Sequence, residues 1–396
     1  MKLPKLPLLL KIAIAIALGL ALGYVFPDWL SRIFVTFNSI FSAFLGFCIP
    51  LIILGLVAPG IADLGKNAGK LLLVTVVIAY GSTLFSGFMT YFSCTGVFPL
   101  MDIGVQEGDI INPEQGMLAP YFTIGIPPLF DVMTALVLAF MLGLGISAIK
   151  EGGTTMKSFL GDLKGVVELT ISKVIIPLLP LHIFGIFLNM STSGSAFSII
   201  STFGKVIGVI FVLHILLLLI QYFTAGAIVK RNPFKLLGTM LPAYATALGT
   251  SSSAATIPVT LKQTIKNGVD EDIADFCIPL CATIHLAGST LKITAMALAV
   301  CFINGYPHDI LTFAGFILML GIVMVAAPGV PGGAIMAAIA PLQSLLGFGE
   351  TDIALMIAVY VAIDSFGTAC NVTGDGAIAL VVNRIYKKPK TTAATT

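Results

Sequence analysis

Charge is what this chain has least of. Only 10% of its 396 residues are Asp, Glu, Lys or Arg, whereas 57% are hydrophobic, and the mean hydropathy is +1.04. No soluble core could absorb that apolar content, so a water-soluble domain is excluded and a polytopic, all-α membrane protein is expected. A net charge of only +2 provides no basic face, and no nucleic-acid partner is expected. Cysteine is present without the spacing that metal binding needs. Cys48, Cys94, Cys277, Cys281, Cys301 and Cys370 all fall in apolar stretches, which reads as core packing. A nucleophile with its activating base is also missing: Ser251 to Ser253 with Lys292 imitate a Ser and Lys pair, but no activating motif accompanies them, and an enzyme is not expected. The single tryptophan, Trp29, stands with Tyr24 where an outer aromatic belt belongs.

The few charges are placed by sign. Lysines and arginines collect at Lys2, Lys5 and Lys11, at Lys66 and Lys70, at Lys150 and Lys157, at Lys230, Arg231 and Lys235, at Lys262 and Lys266, and in the tail from Arg384 to Lys390. The alternate loops lack them. Residues 98–119 carry Asp102, Glu107, Asp109 and Glu114, and 303–309 and 348–352 contain no base. Positive loops stay inside, so both termini are expected in the cytoplasm and the protein in the plasma (inner) membrane, with Lys205 as one mild exception. The segment from Lys2 to Pro27 resembles a signal peptide, but its apolar run is too long and no small-residue cleavage site follows, so it reads as the first span.

Long apolar blocks predict six ordinary spans over 8–28, 34–61, 70–99, 120–149, 165–191 and 197–229. After Arg231 the pattern changes. Residues 236–261 and 321–341 are apolar but broken by Gly, Pro and Ser, and each is followed by a long span, 274–303 and 352–384. Paired interrupted segments of this kind are the sequence mark of an inverted-repeat transporter core, whose unpaired backbone is tolerated only beside a polar cavity. In the last span Asp364, Thr368, Asn371 and Asp375 share one helical stripe that ends in Val372-Thr373-Gly374-Asp375. An intramembrane acid marks an ion or substrate path, or else a buried pair satisfied by neighbouring helices.

These residues carry a resemblance. Ser251-Ser252-Ser253 with Thr256-Ile257-Pro258-Val259-Thr260, then Gly329-Val330-Pro331-Gly332, then Asn371-Val372-Thr373-Gly374-Asp375 resemble the first hairpin, the second hairpin tip and the last helix of the glutamate-transporter-like dicarboxylate/amino acid:cation symporters. The resemblance implies eight transmembrane helices plus two re-entrant helical hairpins, assembled as a homotrimer and working as an elevator. Residues 1–230 would form mainly the scaffold, with the third span and parts of the sixth joining the moving part. Residues 231–396 would form the transport core: hairpin 1 (234–262), broken helix 7 (274–303), hairpin 2 (311–345) and helix 8 (352–388). Carried over by position, Asp364 would hold a substrate amine and Asn371 its α-carboxylate. Ser251, Ser252, Ser253, Ser289, Val330, Gly332 and Thr368 would line the same site. Asp375 would ligate sodium with Asn371 and His285, and Tyr80 and Thr83 resemble third-helix ligands, although Leu84 stands where a hydroxyl is usual.

Two departures bear on the solute and the ion. His285-Leu286-Ala287-Gly288-Ser289 replaces the family's Asn-Met-Asp-Gly-Thr, which removes an acid from one sodium site, and Gly367 stands where members that carry acidic substrates have arginine. A neutral amino acid is the first inference. Lys292, on one face with His285 and Ser289, complicates it. Its ammonium is expected to pair internally with Asp364 or Asp375. If it points into the pocket instead, an acidic amino acid or dicarboxylate becomes the alternative. An anion-conducting channel is the rival class. His182 and His214 read as packing residues, His308 as an outer-loop residue and Asp131 as structural, while His285 offers a proton route. No cofactor is expected beyond the coupling cation, sodium or a proton. The other expected partners are membrane lipid and copies of the chain itself.

Overall fold

The computed structural model describes residues 8–66, 70–103, 118–130, 132–149, 153–192, 196–325, 327 and 332–386, and every regular element among them is helical. The first half contains α1 (Leu8–Gly23), α2 (Asp28–Lys66), α3 (Lys70–Val97), α4 (Val132–Ala148), α5 (Thr154–Thr170), α6 (Ile176–Thr192) and α7 (Ala196–Val229). A π-helical segment, Ile171–Ile175, joins α5 to α6, so 154–192 runs as one long rod. Among the described residues five helical stretches are long and apolar enough to cross a membrane: Asp28–Ile52, Leu71–Val97, Thr154–Asn189, Ser201–Val229 and Glu271–Asn304. Apolar side chains such as Val77, Phe92, Val137, Met141, Val212 and Ile215 face outward, as lipid contact requires. Trp29 and Tyr24 are exposed as well.

Close crossings are set by small residues. Gly19 and Gly23 lie one turn apart on α1, and a Cβ at Gly19 would stand 2.7 Å from the Phe184 carbonyl of α6. Two backbones can approach so nearly only where neither side chain intervenes. The fourth span is shorter than expected. Residues 118–130 are not helical and α4 starts at Val132, because Pro127 and Pro128 remove donors and disfavour helix in the residues before them. This segment is pinned to the start of α2. Arg32 donates from Nε to the Ala119 carbonyl at 3.0 Å, Tyr121 donates its amide to Thr36 Oγ1 at 2.9 Å, and the Arg32 guanidinium lies 4.3 Å from the Tyr121 ring centroid. Lys205, the exception to the charge pattern, donates to the Met101 carbonyl just beyond α3 at 2.8 Å.

The second half is built of four broken pairs. In the first, α8 (Pro233–Thr250) turns into α9 (Ser253–Lys266) through Ser251, which adopts a left-handed φ of 49°. Asn232 caps α8, accepting from the Phe234 and Lys235 amides at 2.9 and 3.2 Å, with Pro233 at the first helical position. Next, α10 (Glu271–Ile284) and α11 (Ala287–Asn304) are interrupted at His285 and Leu286. The third pair is α12 (Ile310–Met324) and α13 (Gly333–Leu346), and the fourth is α14 (Glu350–Ala362) and α15 (Asp364–Tyr386). This last pair bends by 65° at Ile363. The continuous helix expected from 352 is therefore broken, and Asp364 opens its second half.

Position along the chain does not decide which helices pack together. α2 packs on α4, α5 and α6, whereas α3 packs on α10, α11, α12 and α15. α15 is surrounded by α3, α7, α8, α9, α10 and α11, and every residue of α11 from Ala287 to Cys301 is buried. These two helices form the centre of the molecule.

Candidate functional site

The polar stripe of α15 lies inside the protein: Asp364, Thr368, Asn371 and Asp375 are all buried. Such groups are tolerated only when satisfied. At the first of them Lys292 of α11 meets Asp364, with Nζ 3.1 Å from Oδ1. Lys292 is 0% exposed, which excludes snorkelling to the membrane surface. Its ammonium also lies 3.7 Å from the Tyr360 ring centroid and within 3.4 and 3.5 Å of the Ile363 and Asp364 carbonyls at the bend. Asp364 Oδ2 accepts the Gly332 amide, at the start of α13, at 2.8 Å. Gly367 leaves room for the lysine: a Cβ there would sit 2.6 Å from Nζ. Thr368 donates to the Asp364 carbonyl one turn back.

Asn371 holds the second helix start. Its Oδ1 accepts the Gly288 and Ser289 amides of α11 at 2.8 and 3.3 Å, and its Nδ2 donates to Ser289 Oγ at 3.1 Å. Tyr360 donates to the same hydroxyl at 3.0 Å. The crossing is tight, since a Cβ at Gly288 would lie 2.7 Å from both the Gly367 carbonyl and Cys370 Cβ. Ser86 of α3 donates to the Ala287 carbonyl at 2.6 Å, and His214 of α7 bonds the Gly288 carbonyl at 3.1 Å. Asn371 thus takes up amides that the break at His285 and Leu286 exposes at the start of α11, while Ser86 and His214 add bonds to carbonyls of its first turn. These bonds hold the break open.

The lower end of the stripe is a separate cluster. His285 Nδ1 is hydrogen-bonded to Asp375 Oδ1 at 2.8 Å, and both residues are buried. Nε2 lies 3.1 Å from Ser82 Oγ of α3, which in turn accepts from Gln221 Nε2 of α7 at 3.0 Å. Asp375 Oδ2, Thr373 Oγ1 and Gln221 Oε1 are buried without a hydrogen-bond partner. Gly374 permits the approach, because a Cβ there would stand 2.8 Å from His285 Cε1 and from Gln221 Oε1. A cavity of about 290 Å³ lined by Ser82, Gln221, Thr224 and Ala377 adjoins this cluster.

The remaining predicted residues are distributed as follows. Ser252 caps α9, accepting the Ala255 amide at 3.3 Å, Ser251 forms the left-handed turn before it, and Ser253 is buried as the first residue of α9. The end of α8 packs on the middle of α15 through Ala247 against Ala369 and Val372. Val330 lies outside the described residues, as does Asp131. Tyr80 donates its hydroxyl to the Leu318 carbonyl, and Thr83 donates to the Ala79 carbonyl of its own helix; their recorded bonds do not involve His285 or Asp375. His182 bonds Asn38 Oδ1 and His308 the Tyr306 carbonyl. Sequence reasoning missed Tyr360, Ser82 and Gln221. Tyr360 stands one turn before Asp364, and that spacing was its only signal; Ser82 and Gln221 gave none, since lone polar residues recur in every span.

Among the described residues no group of three or more His, Cys, Asp or Glu side chains could hold a metal ion. Asp375 Oδ2 is a hard oxygen donor without a partner, which suits a sodium ion as cargo, while the imidazole on Oδ1 does not; Thr373, two residues back on the helix, lines a different cavity with His214 and Tyr244. The site is therefore buried, made of two ionisable pairs whose acids share α15, and approached by two helix starts. Against this geometry, the family model described as the sodium:dicarboxylate symporter family matches residues 8–385, nearly the whole chain, and the chain belongs to that family of membrane symporters.

Proposed function

We propose that this protein is a secondary active symporter that couples a cation gradient to the uptake of a small carboxylate-bearing solute, an amino acid or a dicarboxylate, across the plasma (inner) membrane. The observation that carries the reading is the delivery of two helix starts, α13 at Gly332 and α11 at Gly288, to two buried residues of one stripe, Asp364 and Asn371. Helix starts carry a partial positive charge, and at α13 the amides after Gly332 have no intrahelical partner, so they stabilise an anion away from water. In this reading α8–α9 and α12–α13 are the two re-entrant hairpins, and the core from residue 231 slides as an elevator against a trimeric scaffold formed mainly by residues 1–230, with α3 and part of α7 moving with the core. Ser251, Ser252, Ser253, Ser289, Thr368 and the tip around Val330 and Gly332 line the solute path. Channel activity is not supported by a stripe so fully enclosed by its own side chains.

The cation belongs at the lower cluster. Asp375 Oδ2 supports sodium, and the bonded His285–Asp375 pair supports a proton as the second reading. Proteoliposomes test both the transport and its ion. Concentrative uptake of a labelled acid is expected under an inward sodium gradient and lost when the gradient is collapsed, and Asp375→Asn is expected to abolish the sodium dependence. Uptake that follows an imposed pH gradient and is lost in His285→Gln would move the coupling to the proton. A passive conductance without accumulation would sink the symport reading.

A further inference from the structure

Every carboxylate and amide oxygen on the upper half of the stripe is already engaged. Asp364 Oδ1 holds Lys292 and Oδ2 holds the Gly332 amide, while Asn371 Oδ1 holds two amides of α11. Ser289 Oγ accepts twice, from Asn371 and from Tyr360, which leaves its own O–H as a donor. Donors are in excess. Helix geometry leaves the first amides of α13, from Gly333 onward, without intrahelical partners, and the positive charge of Lys292 stands beside them. Such a site is matched to an anion and mismatched to a second ammonium.

We propose that Lys292 is a specificity-determining residue whose ammonium, seated between Asp364, the Tyr360 ring and the hollow left by Gly367, takes the place of a solute's amino group, so that the solute is a small carboxylate without an amine. The inference rests on the transport reading above and narrows it, setting aside the amino acid expected from sequence. An amine-bearing solute would bring its charge against Lys292 in a desolvated site and find no free carboxylate. Like charges so placed cost enough to set the preference alone. Gly367 is part of the device, since any side chain there would occupy the volume of the lysine end.

The test uses acids that differ only by the amine: succinate against aspartate, and propionate against alanine. Thermal-shift titration of the purified full-length protein gives affinities, because a ligand of the folded state raises its stability by mass action. The deamino acid of a pair is expected to bind on the order of 100-fold more tightly than its amino partner. In Lys292→Met that ratio is expected to collapse or invert, because the solute's ammonium then serves Asp364, and methylammonium alone should stabilise the variant. In Lys292→Met with Asp364→Asn the gain from amines should vanish again. The ratio isolates specificity from general damage to folding. If Lys292→Met cannot be purified, the wild-type ratio and the double variant decide. A wild type that prefers the amino acid, or a ratio unchanged by Lys292→Met, would overturn the inference. Gradient-driven uptake of the amino acid would overturn it alone, whereas driven uptake of neither class would overturn the transport reading with it.

Discussion

Lys292 and Asp364 are each other's condition for being buried. An isolated charge at that depth costs several kcal/mol, and removing one partner of a buried pair is typically more damaging than removing both. Asp364→Ala is therefore expected to destabilise the protein by about 3–5 kcal/mol, since Lys292 is left with carbonyls and a ring. Adding Lys292→Met should restore much of that loss. Unfolding midpoints in detergent compare the two variants, and a single mutant as stable as the double would show that the ion pair contributes nothing. Gly367 belongs to the same unit, because its missing side chain leaves the space that Lys292 fills. The His285–Asp375 pair is independent of the first, three turns further along α15, and joins α10 to α3 and α7 through Ser82 and Gln221.

Elements meet here where side chains are absent. Gly19 on α1 and Gly288 on α11 each lie against a carbonyl of the partner helix, closer than any side chain permits. Between helices in lipid, such close packing replaces the hydrophobic effect as the source of association. Gly19→Leu is expected to push α1 away from α6 and to cost about 1–3 kcal/mol, as overpacking does. Limited proteolysis of the α1–α2 connection should then speed up, while the affinity of the distant α15 site stays as it was. Unchanged protection would mean that the Gly19 contact does not hold α1 in place. The breaks follow the opposite logic. At His285 and Leu286 the chain gives up helical bonds where Asn371 supplies a partner for the exposed amides of α11, and Ser86 and His214 tie the same first turn to α3 and α7.

The whole molecule has a polar seam between its halves. A cavity of about 220 Å³ lies between α2 and α6 on one side and α14 on the other, lined by Asn38, Ser39, Ser42, His182, Glu350, Thr351 and Ala354. Polar residues between two apolar groups of helices suit a boundary that shears. In a background with the six native cysteines replaced, a reducible thiol-reactive cross-linker spanning the cavity between Ser42→Cys and Ala354→Cys is expected to stop uptake while leaving solute binding intact. Reduction should restore transport. Full uptake with the cross-link formed would show that the two groups of helices do not move against each other at this seam.

Hydropathy and period were legible from the chain alone, because both are local: apolar runs mark spans, spacing of three and four aligns Asp364 with Asp375, and clustered breakers mark the interrupted segments. The depth of Lys292 was legible for the same reason. Its partner was not. Both acids lie on one stripe, and the choice of Asp364 follows from the crossing of α11 over α15, fixed by Gly288 against Gly367, and from the bend at Ile363 that brings two carbonyls to the ammonium. Ser82 and Gln221 reach His285 from 203 residues before it and 64 before it, a neighbourhood that only the packing of α3 and α7 creates. The sequence by itself determined a membrane protein with a polar stripe and a deep lysine. Tertiary structure decided which charges neutralise which, since pairing energy depends on distances across helices and the sequence period specifies only the face from which each side chain sets out.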